Sequence, residues 1–233
     1  MLTYILTRIE SKDEWHDLFM FLDTQKGVGL FMGKAEKNKK IKREALLSTA
    51  FELFTSKGIQ DTSISDIVKS AGIGKGTFYL YFKDKYDINN LLISHKSSQL
   101  FLAAISEMEK EEIDVFEDKI IFIVNHILDQ LNENKTLLRF ISKNLSWGYF
   151  KSALIEHAGA EDVDFYEEYQ KMIREAEYKI EEPEIMLFMI IELVSATCYS
   201  SILYGEPVGL EKLKPYLFRN IRNIIREHVP EGV

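Results

Sequence analysis

Between Ser63 and Phe82 the chain carries two apolar stripes at helical spacing, each too short to stand alone in water, with Gly72 and Gly74 between them. Ile64, Ile67, Val68 and Ala71 fall at i, i+3, i+4 and i+7, one face of a helix with 3.6 residues per turn. Ser63 and Asp66 stand where they can cap its first turn reciprocally, and Gly72 ends it. Phe78 and Phe82, four apart, give the second stripe over Lys75 to Phe82 and leave Lys75, Thr77 and Tyr79 facing out. Helices this short depend on packing, so a third element is required. The segment from Lys39 to Lys57 supplies it: Ile41, Ala45, Leu46, Thr49, Ala50, Leu53 and Phe54 recur at helical spacing, and Gly58 follows as a stop. Two short helices joined by a Gly-containing turn and braced by a longer one make a helix-turn-helix.

That geometry assigns chemistry to residues. The major groove, about 12 Å wide, admits one helix, and the helix's N-terminal residues reach base edges. Lys75, Gly76 and Thr77 hold that position, and glycine lets a backbone approach a surface closely. Thr62 and Ser63 lie where amides and hydroxyls can grip phosphate oxygens. Tyr79, Tyr81, Lys83 and Lys85 offer further donors to the DNA backbone; the competing reading for the two tyrosines is packing on the first helix. Charge distribution agrees. Residues 37–85 hold ten Lys or Arg against five acids, whereas the chain as a whole is -8. A basic module on an acidic body is the footprint of a localised phosphate-binding surface, not of a protein that coats nucleic acid indiscriminately.

The run Lys75-Gly76-Thr77-Phe78-Tyr79-Leu80-Tyr81-Phe82-Lys83-Asp84-Lys85, with Ala50-Phe51-Glu52-Leu53-Phe54, Gly58, Thr62, Ile67-Val68 and Ala71-Gly72-Ile73 correctly spaced before it, resembles the TetR/AcrR family of transcriptional regulators. The resemblance covers about residues 39–99. It implies an all-α protein: a helix-turn-helix DNA-binding domain over 39–99, then a helical effector-binding and dimerisation domain over 100–233. It further implies a homodimeric repressor released from a palindromic operator by a small molecule. By position, Lys75, Gly76, Thr77 and Tyr79 would meet DNA, with Tyr81 and Lys85 gripping phosphates beside Thr62. Gly74 departs from the family, which commonly has serine or another capping side chain there; glycine remains an acceptable N-cap.

Beyond this region, Asp84 and Asp87 mark the start of a fourth helix. Further helical stretches are expected near 117–132, 135–150, 161–179, 184–204 and 209–228. The last two are the dimer candidates: 185–204 is apolar on nearly every side, and Leu210, Leu213, Leu217, Ile221, Ile224 and Ile225 line the other. Paired across a two-fold axis they would form a four-helix bundle. An effector pocket is expected from composition alone, with Phe122, His126, Phe140, Trp147, Phe165, Tyr169 and Met189 as its wall and an amphipathic or apolar molecule as its occupant. Tyr149, Phe150, Met172, Met186 and Tyr199 are secondary candidates.

Other chemistry finds no support. Gly72-Ile73-Gly74-Lys75-Gly76-Thr77 lacks the glycine and hydroxyl spacing of a phosphate loop. The five histidines form no local metal pair, and no cofactor is expected. A single cysteine, Cys198, fits a reducing, cytoplasmic setting. The stretch 185–204 approaches membrane length, but it carries Glu192 centrally and acidic flanks, so a buried helix is expected instead. Residues 1–32 precede the usual family start. Either Met32 begins the native protein or an accessory helix lies around Ser11 to Asp23. A helical enzyme and a dimeric interaction protein without operator binding remain the alternatives.

Overall fold

The structure is a computed structural model, and it describes residues 34–142 and 165–230. Among the described residues every regular element is an α-helix, so the protein is all-α. It divides into two compact units, residues 1–93 and 94–233.

In the first unit, α1 (Lys34–Ser56) packs on α2 (Ile64–Ala71), which packs on α3 (Lys75–Phe78). The helix α1 begins earlier than expected because Lys34 to Lys37 are good helix formers; the accessory segment proposed within residues 1–32 lies outside the described residues. At α2 the sequence signals act as read: the Asp66 amide donates to the Ser63 hydroxyl, and the Ser63 amide donates to the Asp66 carboxylate. Gly72 ends the helix at φ 65°, its N–H donating to Lys69 O and the Ile73 N–H to Val68 O. A side chain would be strained in that left-handed region. The α-helical part of α3 is shorter than expected. After Phe78 the chain tightens, with Leu80 N–H donating to Thr77 O and Tyr81 N–H to Phe78 O, the i to i+3 pattern common at helix ends. Phe78 is fully buried and Phe82 nearly so, their rings 5.6 Å apart. Each such side chain contributes about 1.5–3 kcal/mol by leaving water. These two anchors, with Leu46, Ala50, Phe54 and Ile67, decide which side of α3 turns outward.

The helix α4 (Lys85–Met108) follows, and the division between units falls within it. Asp84 caps it, accepting the Tyr86 and Asp87 amides at 2.8 and 2.9 Å. In the second unit are α5 (Phe116–Glu133), α6 (Lys135–Ser142), α7 (Phe165–Arg174), α8 (Pro183–Tyr204) and α9 (Leu210–Glu227). The pairs α8–α9, α8–α6, α8–α5, α5–α6 and α5–α9 pack together. Arg222 pairs with Asp118 at 2.6 Å, Arg226 with Glu117 at 3.5 Å, and Lys214 with Asp129, tying α9 along α5. The end of α7 falls at Arg174, short of the expected 179. Three residues on, Glu177 accepts the Phe116 amide at the start of α5, and the Glu181 amide donates to His228 O at 2.8 Å. Those tertiary bonds draw the segment out of helical register. The expectation that 185–204 is buried on nearly all sides is corrected: only 33% of its most apolar window is buried within the chain.

Candidate nucleic-acid interface and ligand cavity

The outward side of α3 follows from its anchors. Lys75 and Gly76 are exposed, Thr77 is half-buried, and Tyr79 is 53% exposed. Lys83 is exposed as well, just beyond the turn. Gly74 N-caps α3 without a side-chain bond. An added Cβ at Gly76 would meet no atom within 4 Å, and its backbone is not left-handed. Nothing inside this unit therefore requires glycine there.

Four other candidates are placed differently, each with hydrogen-bond partners inside the chain. Thr62 is only 1% exposed, and its hydroxyl donates to Gly58 O at 2.8 Å. It locks the loop after α1 and does not face outward. Ser63 has its amide and hydroxyl both bonded to Asp66, at 3.0 and 2.8 Å. Those bonds hold the Asp66 carboxyl below its ordinary pKa, the backbone N–H of Ser63 contributing most. The Tyr81 hydroxyl donates to Lys39 O on α1 at 3.1 Å, the packing role weighed for it above. The Lys85 ammonium donates to the carbonyls of Gln60 and Thr62 at 2.9 and 3.1 Å. For Thr62, Tyr81 and Lys85, spacing alone does not reveal which carbonyls the fold brings within reach.

One exposed residue of this face escaped the sequence reading. Leu80 is 78% exposed, and on a helical wheel it points almost opposite Phe78 and Phe82. The same wheel that placed Tyr79 outward carries that signal.

The second unit encloses an apolar cavity of about 160 Å³, lined from α4, α5, α6, α7 and α8. Leu100, Ile123, Leu128, Met186, Ile190 and Cys198 are among its wall residues, and no charged side chain is. Of the seven residues expected there, Tyr169 lines it, with its hydroxyl donating to Pro183 O at 2.6 Å. Met172, Met186 and Tyr199 of the secondary set line it too. Phe122, His126, Phe140 and Met189 are not among its wall residues. Phe122 stacks on His126, whose ring bonds Gln130 at 2.7 Å; burial lowers the His126 pKa. Phe140 is buried away from the lining, and Met189 is 42% exposed. Phe165 lies at the start of α7, and Trp147, Tyr149 and Phe150 lie outside the described residues. The search for aromatic and thioether surface missed the aliphatic majority of the wall. Burial raises the Cys198 thiol above its ordinary pKa, which suits an inert wall residue. Among the described residues no group of His, Cys, Asp or Glu is arranged to hold a metal ion.

Comparison with known proteins gives this geometry a context. The family of bacterial regulatory proteins, tetR family, matches residues 46–90, the segment that builds α1 to α3 and opens α4. Through this segment the chain is similar to TetR-family transcriptional regulators. An HTH-type transcriptional regulator of Staphylococcus aureus strain USA300 is 24% identical over 182 residues, 78% of this chain and 92% of that one. In fold, the chain resembles a TetR transcriptional regulator from Rhodococcus sp. RHA1, with a TM-score of 0.55 at 15% identity over 81% of this chain and 97% of that one. It also resembles the regulator FadR of Bacillus subtilis in complex with stearoyl-CoA, with a TM-score of 0.51 at 19% identity over 76% and 96%. The TetR-type helix-turn-helix is a DNA-binding element, and the chain is a regulator and not an enzyme.

Proposed function

We propose that the chain is a homodimeric repressor that reads a palindromic operator through Lys75, Gly76, Thr77 and Tyr79, with Lys83 on phosphate, and leaves DNA when a small apolar or amphipathic molecule enters the cavity of the second unit. The observation that carries the DNA part is the outward face of α3, held out by buried Phe78 and Phe82. Lysine, hydroxyl and tyrosine donors stand there beside a glycine that the fold itself does not need. The working division is a DNA-binding domain over 39–99 and an effector and dimerisation domain over 100–233. Partner choice follows from surface chemistry. On α8, Ile185, Phe188 and Met189 are 49%, 38% and 42% exposed, and a second copy supplies a matching face under two-fold symmetry. Two heads suit half-sites about 34–36 Å apart. With its wall of uncharged residues the cavity suits a molecule whose buried part is hydrocarbon; an acyl group is one, and the FadR neighbour's structure contains stearoyl-CoA. A cavity of about 150 Å³ holds one benzene in another protein interior, so a short chain segment or a compact ring fits without rearrangement. The workplace is the cytoplasm, where the DNA is.

The test begins with fragments selected from random DNA by the full chain. Lys75→Ala and Tyr79→Ala should each weaken the selected operator at least several-fold, while the folded chain keeps its circular dichroism and thermal midpoint. Lys83→Ala should lower the slope of log affinity against log salt by about 0.9 if it neutralises one phosphate. Stearoyl-CoA and short-chain acyl-CoAs, titrated into the complex, should release the DNA. An operator affinity indifferent to both Lys75 and Tyr79 overturns the DNA face. Retention of DNA with every apolar probe that raises the thermal midpoint overturns the release mechanism.

A further inference from the structure

We infer that Leu80 is a specificity residue, reading the C5-methyl group of a thymine in the major groove of each half-site. The inference rests on the DNA-reading assignment of α3 and deepens it by naming the base feature that the centre of this face recognises.

Position comes first. The buried rings of Phe78 and Phe82 fix the inward side of the segment, and Leu80, in the turn between them, is 78% exposed beside exposed Tyr79. Gly76 stands in the first turn of α3, ahead of the turn that carries Leu80. That position carries no side chain and has open space in front of it. Leu80 is therefore an open apolar group on the exposed side of this segment, with polar Lys75 and Thr77 before it in the chain.

Chemistry follows from position. An apolar branched side chain at 78% exposure gains nothing from water and can make no hydrogen bond to a base. The one apolar group that base edges present in the major groove is the methyl of thymine. Lys75 and Thr77 address hydrogen-bonding edges, whereas Leu80 can tell thymine from cytosine, and from uracil, by burying that methyl. The size of the effect follows from burying one such carbon, about 0.8 kcal/mol. This amounts to about four-fold in affinity per half-site and about fifteen-fold for two.

The experiment replaces each thymine of the selected operator by deoxyuridine, one symmetric pair at a time, which deletes the methyl and leaves every hydrogen-bonding group in place. The full-length chain should lose about fifteen-fold in affinity at one symmetric pair and little elsewhere. Leu80→Ala should bind the thymine operator more weakly and no longer distinguish thymine from deoxyuridine at that pair, while keeping the sensitivity of the other positions. Leu80→Val, which keeps part of the apolar surface, should retain a reduced discrimination. Because Leu80 is so exposed, unchanged thermal midpoints for both variants are expected. Indifference of the parent chain to every deoxyuridine substitution overturns the inference, as does full methyl discrimination by Leu80→Ala. A chain that selects no DNA at all overturns the proposed function, and this inference with it. A chain that binds its operator without methyl discrimination overturns this inference alone.

Discussion

Gly76 sits in the first turn of α3 with open space where a Cβ would stand, so its effects on folding and on binding should separate. Gly76→Ala removes backbone freedom from the unfolded chain and should leave stability unchanged or raise it by about 0.5–1 kcal/mol. Operator affinity measured by fluorescence anisotropy should nevertheless fall, because the new methyl stands between backbone and base edges. Equal affinity would mean that the backbone does not closely approach DNA there. Lys96 on α4 presents a different balance. It is 5% exposed, and burial pulls its ammonium from 10.5 to about 7. Between those values the unfolded chain holds a proton that the folded chain has released, so this residue's contribution to stability grows as pH rises from about 7 toward 10.5. Below about 7 the folded chain carries the buried charge. Lys96→Met should therefore flatten the rise in thermal midpoint across that window and favour the variant most on the acid side. Calorimetric scans at paired pH values check it, at about 2–4 °C for each kcal/mol in a chain of this size.

At the scale of elements, caps and stripes in the sequence predicted helix starts better than helix ends. The box between Ser63 and Asp66 forms as its spacing predicts, and Asp84 caps α4 in the same way. Ser63→Ala should cost about 1 kcal/mol, the usual worth of such a cap. In urea it should appear as a lower midpoint with an unchanged slope. Ends were less legible because tertiary partners decide them. Glu177 leaves helical register to hold the Phe116 amide, and no local signal near Arg174 announces a partner some sixty residues earlier. The same limit explains Thr62, Tyr81 and Lys85. Each has the right type and position for a phosphate contact, and each instead bonds a carbonyl that the fold brings beside it.

For the whole molecule, α8 is the element on which the proposed dimer rests. It is long and apolar enough to cross a bilayer by length and composition alone, yet it packs on α9, α6 and α5 along one side. Ile185, Phe188 and Met189 stay exposed on its other residues. Placing a charge there by Phe188→Glu should shift sedimentation-equilibrium mass from dimer toward monomer. Operator affinity should fall with it, since a single head reads one half-site, while affinity for an isolated half-site stays level. A variant that remains dimeric would move the interface elsewhere.

Local physics reaches a long way in this chain. Period, caps and glycine stops between Lys39 and Phe82 suffice to specify a helix-turn-helix and its outward Lys75, Thr77 and Tyr79, because those signals act over a few residues of backbone. Which donors are bonded within the chain, which wall the cavity has, and which residues of α8 stay exposed were decided only in the tertiary structure. Hydrogen bonds and burial there join residues far apart in the chain, and composition carries no record of those meetings.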